Sequence, residues 1–164
     1  QVTVYAPDDG NGYIIPYRTF ICSPGKENSQ TPTGTFKTTR KYRWHALVES
    51  TYGQYCTRLS NTSILFHSVP GKTTSIHNIT AEEYNKLGAP ASHGCIRMTV
   101  ADCKWIYDHC PIGTAVEVYN SSIVGPYERP TIKYEISDKQ DWDPTDDTIS
   151  AEQAAARAAQ LAAQ

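Results

Sequence analysis

The chain has 164 residues, of which 39% are hydrophobic and 20% charged, and its formal net charge is -2. This size predicts one folded domain plus a tail. The small negative charge excludes a general electrostatic attraction to nucleic acid or anionic lipid, and no run of about 18 apolar residues is available to span a membrane. The chain begins at Gln1 with no signal-like segment. We therefore expect a processed or partial chain, and the missing signal does not indicate a cytosolic protein.

Alternating apolar and polar residues predict a chain built mainly of strands up to about residue 120. The turn sequence DDGNG, residues 8–12, predicts a hairpin between the first two strands, and Pro16 indicates an edge or a bulge in the second. Residues 44–56 have no clear period and predict a flap or an insertion. The expected strands cover residues 1–7, 13–23, 35–44, 63–69 and 114–120.

Two helices have recognisable starts. The sequence Thr-Ala-Glu-Glu at residues 80–83 fits a capping box, and that helix should end at Gly88. The sequence Thr-Val-Ala-Asp at residues 99–102 fits another, with a helix over residues 101–110. The loop GAPASHGCIRM, residues 88–98, lies between these two helix signals, where catalytic groups are commonly held.

The last third of the chain has a different composition. Residues 121–149 mix Pro, Asp, Lys and Ser, and predict an extended linker or a strap along the surface. Residues 150–164 are rich in Ala and predict a C-terminal helix or tail. We therefore expect a domain over residues 1–120, followed by these two segments.

Five cysteines leave at least one thiol unpaired within a single chain. Cys22 and Cys56 could form a disulfide only if their strands are neighbours. Cys103 and Cys110 lie seven residues apart in one predicted helix, which is too far for a bond, so small buried thiols are the preferred interpretation. Cys95 could be a nucleophile, a zinc ligand, half of a disulfide or an inert thiol.

A nucleophilic cysteine needs a base that takes its proton, and the base needs a third group to orient it. His67, His77 and His93 are the candidate bases. Gly94, between His93 and Cys95, would let backbone N–H groups approach a developing oxyanion. The alternative for Gly94 is a turn that requires a positive φ.

The segment SHGCIR, residues 92–97, with a strand-end histidine before it, resembles the active-site signature of the L,D-transpeptidase catalytic domain, the YkuD family. QTPTGTF (30–36), ILFHSVP (64–70) and the segment from residue 86 to 119 are similar to other family motifs. The resemblance covers about residues 1–120. It implies a mainly β fold with short helices, a β-sandwich-like catalytic domain with mixed sheets, plus a C-terminal extension with a helix.

The family's base histidine commonly lies about fifteen residues before the Ser of the signature. This spacing favours His77, which precedes Ser92 by fifteen positions. Sequence context favours His67, which ends an apolar strand and is followed by Ser68. We therefore predict His67 as the base, His77 as the alternative, and an insertion of ten residues that carries His77.

The resemblance implies a cysteine-dependent enzyme that is acylated by a peptidoglycan stem tetrapeptide, releases D-Ala and forms a crosslink with a second stem amine. Cys95 would attack, His67 would move the proton and Ser68 would orient the imidazole. Backbone N–H groups of His93, Gly94 and Cys95 would bind the oxyanion.

Arg97 would bind a substrate carboxylate, although a structural salt bridge explains an arginine there equally well. Ser92 would hold the loop or contact substrate. Tyr55, with Trp44 and Tyr42, would line the groove near a flap, although core packing explains an aromatic equally well.

The implied partners are peptidoglycan stem peptides, with no nucleic acid, cofactor or metal. A carbapenem is an electrophile that this family accepts. The implied location is extracytoplasmic, at the cell wall or cell surface. Three alternatives stay open: an L,D-carboxypeptidase that uses the same residues, a non-catalytic wall-binding module, and a zinc site formed by His67, His77, His93 and Cys95.

Overall fold

Seven strands, three α-helices and two short 3-10 helices (Glu27–Ser29 and Val48–Ser50) lie within residues 1–163, the part of the chain that the computed structural model describes. Gln164, the last residue of the predicted tail, lies outside it. The strands are β1 (Val2–Asp8), β2 (Gly12–Phe20), β3 (Gly34–Ala46), β4 (Tyr52–Leu59), β5 (Leu65–Ser68), β6 (Ile96–Met98) and β7 (Ala115–Val118). The helices are α1 (Ala81–Tyr84), α2 (Val100–His109) and α3 (Ala151–Ala162).

The strands form two sheets. β1 and β2 make the expected antiparallel hairpin, and its pairing shifts register next to Pro16, where the proline ring removes a ladder donor. The other five strands form one mixed sheet in the order β6-β5-β4-β3-β7. Its pairs are antiparallel except for β5 and β6, which are parallel.

Residues 44–56 form the turn end of a hairpin rather than an insertion. β3 continues to Ala46, a short turn at Val48–Ser50 follows, and β4 then pairs back along β3. Residues 53–57 of β4 are all buried. A strand that is covered on both faces does not alternate apolar and polar residues, which is why this segment lacked a period.

Helix α2 covers one face of the five-stranded sheet. Buried residues of β4, β5 and β6, among them Leu59, Phe66 and Met98, pack in one core with Cys103 of α2. Both capped helix starts are present, since Thr80 Oγ1 and Thr99 Oγ1 each accept a hydrogen bond from the third backbone N–H that follows. α1 ends four residues before Gly88, because the chain continues in turns to that glycine, whose φ is 99°.

The segment over residues 121–149 contains no strand or helix, and its second half is anchored to the domain. Ile136 and Trp142 are buried, and the side chain of Asn85 hydrogen bonds both backbone groups of Ile136. Asp143 Oδ2 accepts the Val100 N–H at the start of α2, at 2.8 Å. The strap therefore supplies part of the cap of the helix that covers the sheet.

All five cysteines are unpaired, including Cys22 and Cys56. Cys103 is fully buried and Cys110 partly buried. Among residues 1–163, no helix combines the length and the apolar character that crossing a bilayer requires. The predicted fold class, strands in mixed sheets with few short helices and a C-terminal helix, is confirmed.

The strap contact at Asp143 predicts a stability effect. Asp143→Ala should lower the free energy of unfolding by about 1–3 kcal/mol, because the Val100 N–H is left without a partner in a buried position. Urea unfolding would measure the loss. Asp138→Ala is the matched control, since Asp138 is exposed in the same strap. Equal midpoints for the two variants would contradict a capping role for the strap.

Candidate active site

A cleft of about 340 Å³ lies on the face of the five-stranded sheet that α2 leaves open. The strand ends around it bring together His67 and Cys95, the two residues on which the sequence hypothesis depends. β5 and β6 pair in parallel with His67 opposite Arg97, so these side chains and that of Cys95, two residues before Arg97, lie on the same face. The cleft is lined by His45–Val48, Thr51, Ser63–Leu65, His67, Pro70, Ser92, His93, Cys95 and Arg97.

His67 is buried and its ring is held in one orientation. Its Nδ1 lies 2.6 Å from the backbone oxygen of Ser68. A carbonyl oxygen only accepts hydrogen bonds, so Nδ1 carries the proton and Nε2 carries the lone pair. The Ser68 hydroxyl makes a separate contact, because it accepts the Gln54 N–H at 2.9 Å and so ties β5 to β4.

Burial lowers the pKa of His67 from 6.5 to about 4, and the nearby charges of Arg97 and His45 act in the same direction. The hydrogen bond to Ser68 opposes this shift. At neutral pH the imidazole is therefore uncharged and can accept a proton at Nε2.

Gly53 gives the His67 ring its space. A Cβ added to Gly53 would lie 3.0–3.2 Å from Cβ, Nδ1 and Cγ of His67. Any side chain at residue 53 would press on the imidazole, so the glycine fixes how closely the ring approaches β4.

Cys95 is partly buried at the entrance to β6. Its Sγ lies 3.9 Å from the backbone oxygen of Ser63, a weak hydrogen bond. Burial raises the pKa of the Cys95 thiol, against smaller opposing effects of the Leu65 backbone and the charge of Arg97. The thiol is therefore protonated at rest, and a base must remove its proton before it can act as a nucleophile.

The turn before Cys95 is held by Ser92. Its buried hydroxyl donates to the Cys95 backbone oxygen at 2.5 Å and accepts the Gly94 N–H at 3.0 Å. Gly94 has φ 116°, and an added Cβ would lie 3.1 Å from Ile64 Cδ1. Ser92 is thus placed to hold the loop, and the Gly94 N–H, expected to bind an oxyanion, is engaged within the turn.

Thr31, from the QTPTGTF motif, supports the same turn from outside. Its hydroxyl donates to the Gly94 backbone oxygen at 2.8 Å and accepts the Gly25 N–H at 3.0 Å. The backbone of residues 24–26 also hydrogen bonds residues 91 and 92. This motif therefore stabilises the loop that carries Cys95, residues 91–95, which we call the cysteine loop.

Arg97 is paired inside the protein. Its Nη1 lies 2.7 Å from Oε2 of Glu83, and 11% of its side chain is exposed. Burial alone would raise the pKa of Glu83, but hydrogen bonds from Lys86 and Arg97 outweigh it and hold that pKa below its usual value. A structural salt bridge, the alternative noted for Arg97, is therefore present at the cleft wall.

His93 points to a different partner from Cys95. Its Nε2 lies 3.6 Å from Oε1 of Glu49, in the turn between β3 and β4. The side chains of both residues are exposed. This pair links the hairpin tip to the cysteine loop, and both of these segments line the cleft.

His77, the alternative base, does not line the cleft. Its Nδ1 lies 3.1 Å from Oδ1 of Asp141 in the strap, and its ring packs edge-on against Trp142. Arg157 of α3 also binds Asp141. His77 therefore takes part in anchoring the C-terminal segment.

Tyr55 was expected to contact substrate, but it does not line the cleft. Its φ is 47°, which turns the ring toward Tyr107 and under the guanidinium of Arg43, 4.0 Å from the ring centroid. Tyr42 and Trp44 do not line the cleft either. Core packing, the alternative explanation for an aromatic at 55, describes the structure.

The zinc alternative required His67, His77, His93 and Cys95 in one group. The structure separates His77 from the other three. Within residues 1–163, no group of three or more His, Cys, Asp or Glu side chains is arranged to hold a metal ion.

The site contains residues that the sequence did not single out. Gly53 and Glu49 act through contacts between distant segments, for which a single sequence carries no signal. Glu83 was expected only in the capping box of α1, and its ion pair with Arg97 was not predicted. Thr31 lies in a quoted motif, so its motif was found but its hydrogen bond to the cysteine loop was not.

Comparison with known proteins gives one consistent match. The sequence model of the L,D-transpeptidase catalytic domain, YkuD, matches residues 1–118. The protein YciB of Bacillus subtilis (strain 168) is 48% identical over 54 residues, 33% of this chain and 27% of that protein. L,D-transpeptidase 2 of Mycobacterium tuberculosis (strain CDC 1551 / Oshkosh) is 25% identical over 124 residues, 68% of this chain and 28% of that protein.

A solved structure has a similar fold. The LD transpeptidase LdtMt1 in complex with imipenem matches with a TM-score of 0.52 and 24% identity, over 64% of this chain and 50% of that chain. The chain spans less than a third of the length of the two curated relatives named above.

The burial of His67 predicts a pH-dependent stability. Between pH 6.5 and about 4 the unfolded chain binds a proton at this histidine and the native state does not, so native stability falls as the pH falls through that window. The full loss is about 3 kcal/mol. We expect His67→Gln to remove this part of the pH dependence in urea titrations at pH 7 and pH 4. His109→Gln, at an exposed position, is the control and should retain it. Identical pH slopes for wild type and His67→Gln would contradict a buried neutral histidine.

Proposed function

Because the chain belongs to the YkuD family of L,D-transpeptidase catalytic domains, we propose that it is a cysteine acyltransferase that acts on peptidoglycan stem peptides. The donor is a stem tetrapeptide with a diamino acid at its third residue. The enzyme releases the terminal D-Ala and joins the acyl group to the side-chain amine of a second stem.

The observation that carries this proposal is the pairing of β5 with β6. It holds a neutral imidazole and a protonated thiol on one face of the sheet, at the wall of one cleft. A thiol with a depressed pKa would need no base, whereas a thiol in this environment does. A buried histidine whose Nε2 lone pair is free of the Ser68 contact meets that need.

The acylation step follows from these groups. Nε2 of His67 accepts the thiol proton while Cys95 Sγ forms a bond to the carbonyl carbon of the diamino residue. The carbonyl oxygen becomes an oxyanion. When the intermediate collapses, the C–N bond to D-Ala breaks, and the His67 imidazolium returns the proton to the departing amine. A thioester on Cys95 remains.

Backbone N–H groups of the cysteine turn stabilise the oxyanion. Since the Gly94 N–H is donated to Ser92, the candidate donors are those of His93 and Cys95. Gly94 contributes by its positive φ and its missing Cβ, which allow this turn to pack against Ile64.

The second step consumes the thioester. The acceptor amine forms a bond to the acyl carbon, the bond to Cys95 Sγ breaks, and His67 takes up the amine proton and returns a proton to the thiolate. Attack by water would instead give an L,D-carboxypeptidase from the same residues. We favour transfer to an amine, in line with the name of the family.

We assign positioning roles to Ser68, Ser92 and Arg97. Ser68 fixes the imidazole through its backbone oxygen, and Ser92 fixes the turn. The Arg97 guanidinium is held by Glu83 at the cleft wall, where its charge disfavours protonation of His67. Since peptidoglycan lies outside the cytoplasmic membrane, we propose an extracytoplasmic location for the working protein.

The direct test is incubation with a defined disaccharide-tetrapeptide, with the products read by mass. We expect a crosslinked dimer and free D-Ala. A tripeptide without dimer would identify a carboxypeptidase. No change, with a free Cys95 thiol, would instead favour a wall-binding module.

The nucleophile is tested with a carbapenem, because the related LdtMt1 was solved with imipenem. Wild-type protein should gain the mass of one imipenem, and Cys95→Ala should gain none while keeping the wild-type unfolding midpoint. Cys110→Ala, which alters another partly buried thiol, should still form the adduct. An adduct on Cys95→Ala would place the nucleophile elsewhere.

The choice of base is tested separately. His67→Ala should slow acylation by about 10²-fold or more, the usual contribution of a general base. His77→Ala should keep acylation near the wild-type rate, because His77 contacts Asp141 and Trp142 and does not line the cleft. Single-turnover acylation, followed by mass, measures both. The reverse pattern would show that spacing, and not strand context, identifies the base.

A further inference from the structure

Two arginines lie side by side next to the cleft without a carboxylate partner. Arg40 on β3 and Arg58 on β4 are paired in register. Among residues 1–163, neither guanidinium lies at ion-pair distance from an acidic side chain. Like charges placed directly opposite each other on neighbouring strands are destabilising. An anionic ligand bound between the two guanidinium groups would offset this repulsion.

Arg40 and Arg58 lie on neighbouring strands at the same level of the sheet as Cys95, the proposed nucleophile. Arg58 pairs with Leu65 on β5, and the parallel register that sets Phe66 beside Ile96 continues to Leu65 beside Cys95. Residues that are paired in this way project from the same face. A row of neighbouring residues therefore runs from Arg40 on β3 through Arg58 on β4 and Leu65 on β5 to Cys95, the residue before β6.

The two arginines line a depression of about 470 Å³ that adjoins the cleft. Ser63 lines both spaces, and its backbone oxygen is the one that contacts Cys95 Sγ. Arg58 Nε donates to the Thr62 backbone oxygen at 2.9 Å, which orients the guanidinium and leaves its two terminal nitrogens for a ligand. Arg40 is exposed and makes no side-chain hydrogen bond within the described chain.

We propose that Arg40 and Arg58 form an anionic subsite that binds a carboxylate of the stem peptide while its scissile carbonyl lies at Cys95. This inference rests on the proposed function. A planar guanidinium binds a carboxylate through two parallel hydrogen bonds, and two adjacent guanidinium groups favour a charged ligand over a neutral amide.

The spacing of the strands sets where that carboxylate lies. Neighbouring strands are about 4.8 Å apart, so the Arg58 and Cys95 backbones are separated by about 10 Å. An extended peptide advances about 3.3 Å per residue. Because an arginine side chain spans part of that separation, the carboxylate is on the residue next to the reacting one in the donor, or on an acceptor stem bound alongside.

The test compares matched donors in single-turnover acylation of Cys95. Two tetrapeptides differ only in whether the carboxyl group of the second residue is free or amidated. The double variant Arg40→Gln/Arg58→Gln should acylate about tenfold more slowly with the free-acid donor, the scale of one charge-assisted hydrogen bond. It should be unchanged with the amidated donor. Arg18→Gln removes one exposed arginine on β2 and is the control, with the wild-type rate expected for both donors.

The second arm measures crosslinking to acceptors that carry a free or an amidated carboxyl group. If the double variant slows only this step, the subsite holds the acceptor carboxylate, which supports the proposal with that source. If neither step responds to the variants, the anionic subsite is overturned although the enzyme is active. If wild type is acylated by neither donor, the proposed function fails, and this inference fails with it. Both arginines are at least partly exposed, so the unfolding midpoint should stay at the wild-type value and a loss of fold would be recognised.

Discussion

The active-site arrangement depends on the parallel pairing of β5 with β6. These are short strands, of four and three residues, and they come from segments separated by the strap-bound loop and α1. Their register sets His67 beside Arg97 and brings Cys95 to the same face. A shift of one residue would turn every side chain of β6 to the opposite face and would expose Ile96 and Met98. The burial of these two side chains therefore fixes the register of β6. Their burial in the core against α2 keeps Cys95 and Arg97 in the cleft.

This packing also determines the resting protonation of the site. The imidazole is surrounded by β4 and β5, with Gly53 allowing close approach, and burial keeps it neutral. The thiol is also kept neutral by burial. Transfer of the proton from Cys95 to His67 is unfavourable before an electrophile binds, because the resulting thiolate and imidazolium would both be poorly solvated in this buried position. Under the proposed function, deprotonation of Cys95 would therefore accompany substrate binding, because the resting thiol is protonated.

The sequence predicted local structure well and tertiary contacts poorly. The helix caps at Thr80 and Thr99 rest on a few adjacent residues, and both are present. The strand at residues 52–59 was missed because it is buried on both faces and so lacks an alternating pattern. Tyr55 was expected at the cleft, but a positive φ within β4 turns its ring to the core. A positive φ is rare for an aromatic residue and cannot be predicted from the residues around it. Glu83, which pairs with Arg97 from α1, depends on the folded arrangement of segments.

The two candidate histidines differ in the feature that favours each of them as the proposed base. His77 has the spacing common in the family, but residues 72–80 lie outside the sheet. The strap holds His77 through Asp141 and Trp142. His67 departs from that spacing, but it lies on β5, directly next to the strand that follows Cys95. An insertion between β5 and α1 lengthens the chain without moving either strand, because the sheet pairing is fixed by the core beneath it. We therefore use the strand beside Cys95 as the criterion for the proposed base, and in this chain that criterion favours His67.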